Sequence, residues 1–288
     1  MKKERLHALI ALLDDPDEAV FEEVEQQLLC EDGRIIQQLE QIWETSLDEL
    51  IQSRIENLIQ QIQFAETRTK ILNWGNQKQV DLFEGFFLIS QYQYPDLKLK
   101  AIKSKIQKIS NDVWLEISNK LTSIEKITVL NHIFYDTNKF SVNLNHLDSP
   151  QNCYINQLFE TKKGNAISVA ILYALIAREL KFPVEFVNFP KTPLLAYVDP
   201  EMAHEVHGRD YKSSILFYIN PSNKGAIIGR KEVEFFLNRN EQFGTDDFYE
   251  PCEDKFMIKK LLESLIESYE SLGYQNKVDD LNRIADFL

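Results

Sequence analysis

The stretch TKKGNAISVAILYALIARELKFPVEFVNFP, residues 161–190, decides how the chain is read. A basic turn and Gly164 lead into a run in which Ile167, Val169, Ala170, Ile171, Leu172, Leu175 and Ile176 leave little polar face. A helix that is apolar all round sits inside a fold rather than on its surface. The period then changes to alternation in FPVEFVNFP (182–190), the mark of a strand. A buried helix feeding a strand predicts a sheet packed on that helix. No cysteine opens the helix: the residue two after Gly164 is Ala166.

Downstream, PLLAYVDP (193–200) and SSILFYINP (213–221) are two more short strands bounded by Pro, Asn, Asp and Ser. EMAHEVHGRDYK between them reads as an exposed loop, and RKEVEFFLNRN as a helix. The tail carries two apolar stripes, Ile258, Leu261, Leu262, Leu265, Ile266 and Tyr269, then Val278, Leu281, Ile284, Ala285 and Leu288. They predict a helical hairpin of tetratricopeptide-like size. Upstream, helices are expected over 80–94, stopped by Pro95, from about Leu97 to Leu121, and from Ser123 to Tyr135. NKFSVNLNHLDSPQN reads as an Asn-rich polar loop before a short helix, CYINQLFETKK.

The first part of the chain is helical too. Leu6, Leu9, Ile10 and Leu13 follow helical spacing, and Pro16 suits a first helical turn capped by Asp15 or Asp17. Further stripes run through Val20, Val24 and Leu28, through Ile35, Leu39 and Ile42, and from Leu50 to Ile62. The pattern is either HEAT-like helical pairs or a small bundle. NWGNQKQ (73–79) is the expected linker. The expected organisation is therefore a helical region 1–75, a core 79–250 and a hairpin 251–288.

The chain has 288 residues, 44% hydrophobic and 27% charged, with only 9 Gly and 9 Pro. This is a globular composition with a sizeable core. The start MKKERLHALIALLDDPDEAV is broken by acids and reads as an amphipathic helix rather than a signal peptide, and no run is apolar enough to predict a membrane span. A net charge of −13 argues against nucleic acid as a general partner; KLKAIKSKIQK (98–108) is the clear basic patch, best read as a solvated helix face. Cys30, Cys153 and Cys252 are far apart and odd in number, which fits a reducing cytoplasm.

From Val80 to Asn240 the chain resembles the transglutaminase-like core of the bacterial SirB-type family, described as regulators of sirC expression with transglutaminase-like and tetratricopeptide parts. NCYINQLFETKKGNAISVAILYALIARELKFPVEFVNFP and FYINPSNKGAIIGRKEVEFFL carry the resemblance. It implies an α+β fold, mostly helical, with a small antiparallel sheet packed on a buried helix, flanked by HEAT-like and tetratricopeptide-like helices. In transglutaminases and papain-like proteases a Cys opens the buried helix, a His on the next strand takes its proton and an Asp on the following strand holds the imidazole. The resemblance puts Ala166 at the Cys position, where SirB-type chains usually have Pro. It puts Thr192, within FPKTPLL, at the His position and Asn220, within YINPSN, at the Asp position. None of these supplies a nucleophile, a general base or a charge.

Two functions follow as expectations. One is a non-catalytic interaction or regulatory protein that takes a protein or peptide partner, with no cofactor and no metal. The other is a cysteine-protease-like hydrolase or acyltransferase with a displaced nucleophile, for which Cys153 is the candidate. Ser168 reads as a core hydroxyl. His204 and His207, three apart in HEVHG, have no third metal ligand nearby. His7, His132 and His146 stand outside any constellation. Asn152 is expected to cap the short helix and Tyr154 to pack on it.

Overall fold

The computed structural model describes residues 8–13, 15, 17–31, 33–187, 189, 192–208, 213–239 and 250–288. Leu6, His7 and Pro16 lie outside the described residues, as do Asn188, Pro190 and Lys191 of the FPVEFVNFPK stretch. The chain divides into two compact units, Met1–Asn73 and Trp74–Leu288.

The first unit is helical. Asp17 accepts a hydrogen bond from Ala19 N (2.9 Å) and caps α1 (Glu18–Leu29). α2 (Ile36–Thr45) and α3 (Glu49–Gly75) follow. Their apolar stripes close one core of Leu13, Val24, Leu28, Leu39, Ile55 and Leu58. Arg54 on α3 donates to the carbonyls of Leu13 (3.0 Å) and Asp15 (2.9 Å) while lying 4.0 Å over the Phe21 ring. One planar cation thereby satisfies the carbonyls at the end of the first turn and covers an aromatic face.

α3 runs on to Gly75, through the first part of the expected linker. Trp74 is buried and donates its indole N–H to Asp81 O (2.8 Å); residues 76–79 are exposed.

The second unit is a mostly helical α+β assembly. Asp81 caps α4 (Leu82–Gln93), and Thr122 with Glu125 forms a capping box at α6 (Ser123–Asn131). Between them, α5 (Leu99–Glu116) stops short of Leu121: Ile117 is already extended, just ahead of the turn-forming pair Ser118 and Asn119. α6 continues as a π-helical turn, His132–Thr137, which buries the consecutive residues Ile133, Phe134 and Tyr135.

The expected Asn-rich loop holds a two-residue strand, β1 (Ser141–Val142), which pairs in parallel with β2 (Lys163–Gly164). Two residues are too few to show a period. A 3₁₀ turn (Pro150–Cys153) and α7 (Ile155–Thr161) lead through β2 into α8 (Ala166–Glu179), the buried central helix. Beside it lies an antiparallel sheet of β3 (Val184–Val187), β4 (Leu194–Val198), β5 (Ile215–Asn220), β6 (Ala226–Ile228) and β7 (Pro251–Cys252), in the spatial order β6-β5-β4-β3-β7. α10 (Arg230–Arg239) covers the sheet with Val233 and Leu237.

Residues 201–207, expected as part of an exposed loop, form a helix instead, α9 (Pro200–His207). Asp199 caps it by accepting from Met202 N (3.1 Å), Pro200 takes the first turn, and Ala203 is fully buried. The signal was in the sequence: Asp-Pro-Glu is a helix start. The tail, expected as a hairpin of its own, belongs to the same compact unit as the core. β7 extends the sheet beside β3, and α11 (Asp254–Ser271) packs on α4 and α8 before α12 (Gln275–Ala285).

Candidate functional site

The candidate site starts at the first turn of α8. Asn165 caps it, its Oδ1 accepting from Ser168 N at 2.7 Å. The backbone carbonyl of Asn152 accepts twice, from Asn165 N (3.0 Å) and from Ser168 Oγ (2.7 Å). Asn165 Nδ2 reaches Ser264 Oγ (3.0 Å) and Cys153 Sγ (3.2 Å). Gly164 is required here because a Cβ would fall 2.3 Å from Ser168 Oγ and 3.2 Å from Asn152 O. Ser168 is thus a buried structural hydroxyl, and Ala166, half-buried, is the first residue of the helix.

Cys153 lies beside this turn but is fully buried, and burial pushes its thiol up to about 12. Its contact with Ser264 pulls the other way and the charge of Glu267 adds to the rise, both less than burial. A thiol held in this state is protonated at neutral pH and is a poor nucleophile. Cys252, on β7, is likewise pushed up to about 11, mainly by burial.

The register locates the other two positions. Arg178 Nε, in the last turn of α8, donates to Val184 O (3.0 Å), so β3 begins beside the C-terminal end of the helix and runs away from it. Val187 pairs with Leu194, and Leu195 with Ile219. Thr192, two residues before β4, and Asn220, closing β5, therefore lie at the same end of the sheet, opposite the Arg178 end. Thr192 is half-buried. The Asn220 side chain is turned onto its own chain: Oδ1 accepts from Ser222 N (3.1 Å) and Asn223 N (3.2 Å), capping the 3₁₀ turn Pro221–Asn223.

A set of residues outside the sequence reading ties that turn to the helix. Tyr173 of α8 donates to Asn131 Oδ1 (2.7 Å), Asn131 Nδ2 donates to Gly225 O (2.8 Å), and Tyr135 OH donates to Pro221 O (2.8 Å). Gly225 has φ of +68°, and an added Cβ would meet the Asn131 amide at 1.9 Å. Tyr173 was readable as a polar end on an otherwise apolar helix; its partner, 42 residues upstream, was not.

One expectation needs correcting. Asn152 does not cap the short helix. Its side chain accepts from Asn143 Nδ2 (2.9 Å) and donates to His146 O (2.6 Å), pinning the Asn-rich loop. The first turn of α7 is satisfied by Ser90 Oγ, which accepts from Ile155 N at 2.9 Å. Tyr154 is buried, its hydroxyl 2.8 Å from that of Tyr269. His204 and His207 stand on α9 and each engages a carbonyl, of Pro200 (2.6 Å) and of Leu216 (2.9 Å). Among the described residues no three His, Cys, Asp or Glu side chains are grouped as a metal site, and no helix is long and apolar enough to cross a membrane.

A buried helix against an antiparallel sheet, with candidate positions at the helix start and at one sheet end, is the arrangement of a transglutaminase-like core. The profile of the transglutaminase-like superfamily matches residues 100–263, more than half of the chain, and the chain belongs to that superfamily. It is 28% identical to F-box only protein 21 of Homo sapiens over 218 residues, which are 68% of this chain and 33% of that protein. It is 30% identical to a UPF0162 protein of Xylella fastidiosa over 122 residues, covering 41% of this chain and 43% of that one. With a UPF0162 protein of Buchnera aphidicola the identity is 24% over 191 residues, covering 65% and 66%. The match thus spans a third of the length of F-box only protein 21 and less than half of the Xylella protein. No solved structure matches this chain.

Proposed function

We propose that this chain is a degenerate, SirB-type member of its superfamily that performs no acyl transfer and acts as a cytoplasmic interaction or regulatory protein, binding a protein or peptide partner. In this reading Ala166, Thr192 and Asn220 occupy the positions of the lost nucleophile, base and acid. The HEAT-like region 1–75 and the tetratricopeptide-like pair in 251–288 present helical surfaces to the partner.

The observation that carries the reading is the chemistry at those three positions. Ala166 has no nucleophilic atom. Thr192 has no basic lone pair near neutrality. Asn220 is uncharged, and its carboxamide oxygen is engaged in capping the following turn. The displaced-nucleophile alternative needs a thiolate at Cys153, against which burial works.

Purified protein assayed for amine incorporation and peptide hydrolysis is expected to give no turnover above background. Turnover that persists in Cys153→Ala would overturn the reading. A gain-of-reactivity variant sharpens it: Ala166→Cys with Thr192→His and Asn220→Asp should give a thiol alkylated faster than Cys153 or Cys252. A new thiol no faster than those two would mean that the three positions do not converge as the family geometry requires.

A further inference from the structure

A cavity of about 380 Å³ opens between the loop 143–152 and the turn 161–163. All of its lining residues are polar and none is acidic. Asp148 and Glu160, neighbours in sequence, are not among them. Its frame is fixed. Asn143 N donates to Gly164 O (2.8 Å), the Asn143 side chain is bonded to Asn152, and the side chain of Asn152, 3% exposed, is bonded within the loop to Asn143 and His146. Thr161 Oγ donates to the carbonyls of Gln157 (2.8 Å) and Lys163 (3.1 Å).

Several donors of the wall have capacity to spare. Tyr94 donates its hydroxyl to Gln151 Oε1, which leaves Gln151 Nε2 as the open end of that amide. Among the described residues the Asn145 amide, the His146 ring and the Lys163 ammonium carry no side-chain bond or ion pair in the wall. Leu144 and Leu147, on the same loop, are 77% and 60% exposed.

From this we infer that the cavity is a binding site for an acidic side chain, Asp or Glu, of a peptide segment whose apolar neighbours rest on Leu144 and Leu147. The inference rests on the partner-binding reading and names the site and the ligand chemistry for it. A carboxylate offers several acceptor lone pairs to the amide donors and a charge to Lys163, and bonds to an ionised group are the strong ones. In a protein of net charge −13, a cavity whose lining is free of acids and edged by Lys163 admits an anion without repulsion from a lining residue.

The test is a titration of the isotope-labelled full chain with Ac-Leu-Glu-Leu-NH2, Ac-Leu-Gln-Leu-NH2 and the phosphoserine analogue, followed by amide chemical shifts. The Glu peptide is expected to bind roughly tenfold tighter than the Gln peptide, with shifts confined to residues 141–152 and 161–164. Lys163→Met should abolish that preference, Lys163→Arg should keep it, and Leu144→Ser should weaken both peptides equally. No saturable shift at millimolar peptide, equal binding of Glu and Gln peptides, or a preference surviving in Lys163→Met would overturn the site. Tighter binding of the phosphoserine peptide would overturn the carboxylate assignment. The two readings fail separately. A native partner retained equally by wild type and Lys163→Met removes the cavity but keeps the interaction role. Turnover in the amine-incorporation assay removes that role, while the peptide titration still decides the cavity.

Discussion

The two ends of α8 are held by different chemistry. At the N-terminal end every contact is neutral: the Asn165 cap, the Asn152 carbonyl taken twice, and the Ser264 and Cys153 side chains. At the C-terminal end the contacts are ionic. Arg178 Nη1 donates to both carboxylate oxygens of Asp254 (2.8 and 2.7 Å), Nη2 to Glu185 (2.9 Å) and Nε to Val184 O. A helix N-terminus that activates a thiol uses its partial positive charge to stabilise a thiolate. Here that charge meets an amide cap and a protonated thiol, and the charged groups gather where they complement the other pole of the helix. The contacts at the N-terminal end are structural ones, which is what the proposed non-catalytic reading expects.

The largest effect is expected at the ionic end. Arg178 is one quarter exposed, as is Asp254, so the pair is screened only in part. Arg178→Met should cost about 2–3 kcal/mol, read from the urea midpoint at constant slope, because it strands the Asp254 carboxylate and the Val184 carbonyl. Arg178→Lys should recover little, since one ammonium nitrogen cannot reach Asp254, Glu185 and Val184 O, which three separate guanidinium nitrogens serve here. A loss below about 1 kcal/mol would mean that packing alone holds this end.

Removing the neutral cap should cost less. Asn165→Ala loses the bond to Ser168 N and the link to Ser264, for about 1–2 kcal/mol. Asn165→Asp separates cap from link: the carboxylate can still accept from Ser168 N but cannot donate to Cys153. If Asp is as stable as Asn, the helix start depends on the cap alone. If it is as poor as Ala, the Ser264 and Cys153 contacts matter as much.

Much of this contrast was hidden in the sequence for a physical reason. α8 was legible because it is apolar on all sides, and β3, β4 and β5 because they alternate between Pro, Asn and Asp boundaries. Arg178 was one basic residue at the end of a helix; its main partner, Asp254, is 76 residues away, and no local pattern encodes such a distance. β7 and β1 are two residues long and have no period to detect. Asn152 was assigned a capping role by its type and position, and it does bond through its side chain, but to the loop before it. Asn and Ser bond wherever the chain brings a backbone group, so type restricts the role without choosing the partner. Ala166, Thr192 and Asn220 were singled out by the resemblance alone, and their residue types carry no nucleophile, base or charge. What Asn220 does instead is visible only once the turn at Pro221–Asn223 is seen.

The smallest effect sharpens the comparison at its neutral end, where pH should reveal the buried thiol. Burial raises Cys153 to about 12 in the folded chain, above the ordinary thiol value near 9 that it regains on unfolding. Between those values the folded state holds one more proton than the unfolded state, so stability falls as pH rises. The contribution is fully present below the unfolded value and is lost progressively towards about 12. By pH 9.5 the loss should be about 1 kcal/mol. Cys252, raised to about 11, adds a loss of the same sign and, up to pH 10, of nearly the same size, and the buried Tyr154 and Tyr173 add theirs at higher pH. The measurement is the urea midpoint at intervals from pH 7.5 to 10 for wild type and Cys153→Ala. The variant should start lower, because it leaves a gap beside Asn165, and should then fall less steeply. The slope carries the information and the starting level does not. Identical slopes would place Cys153 in contact with solvent, and the thiol would return as a candidate nucleophile beside the first turn of α8.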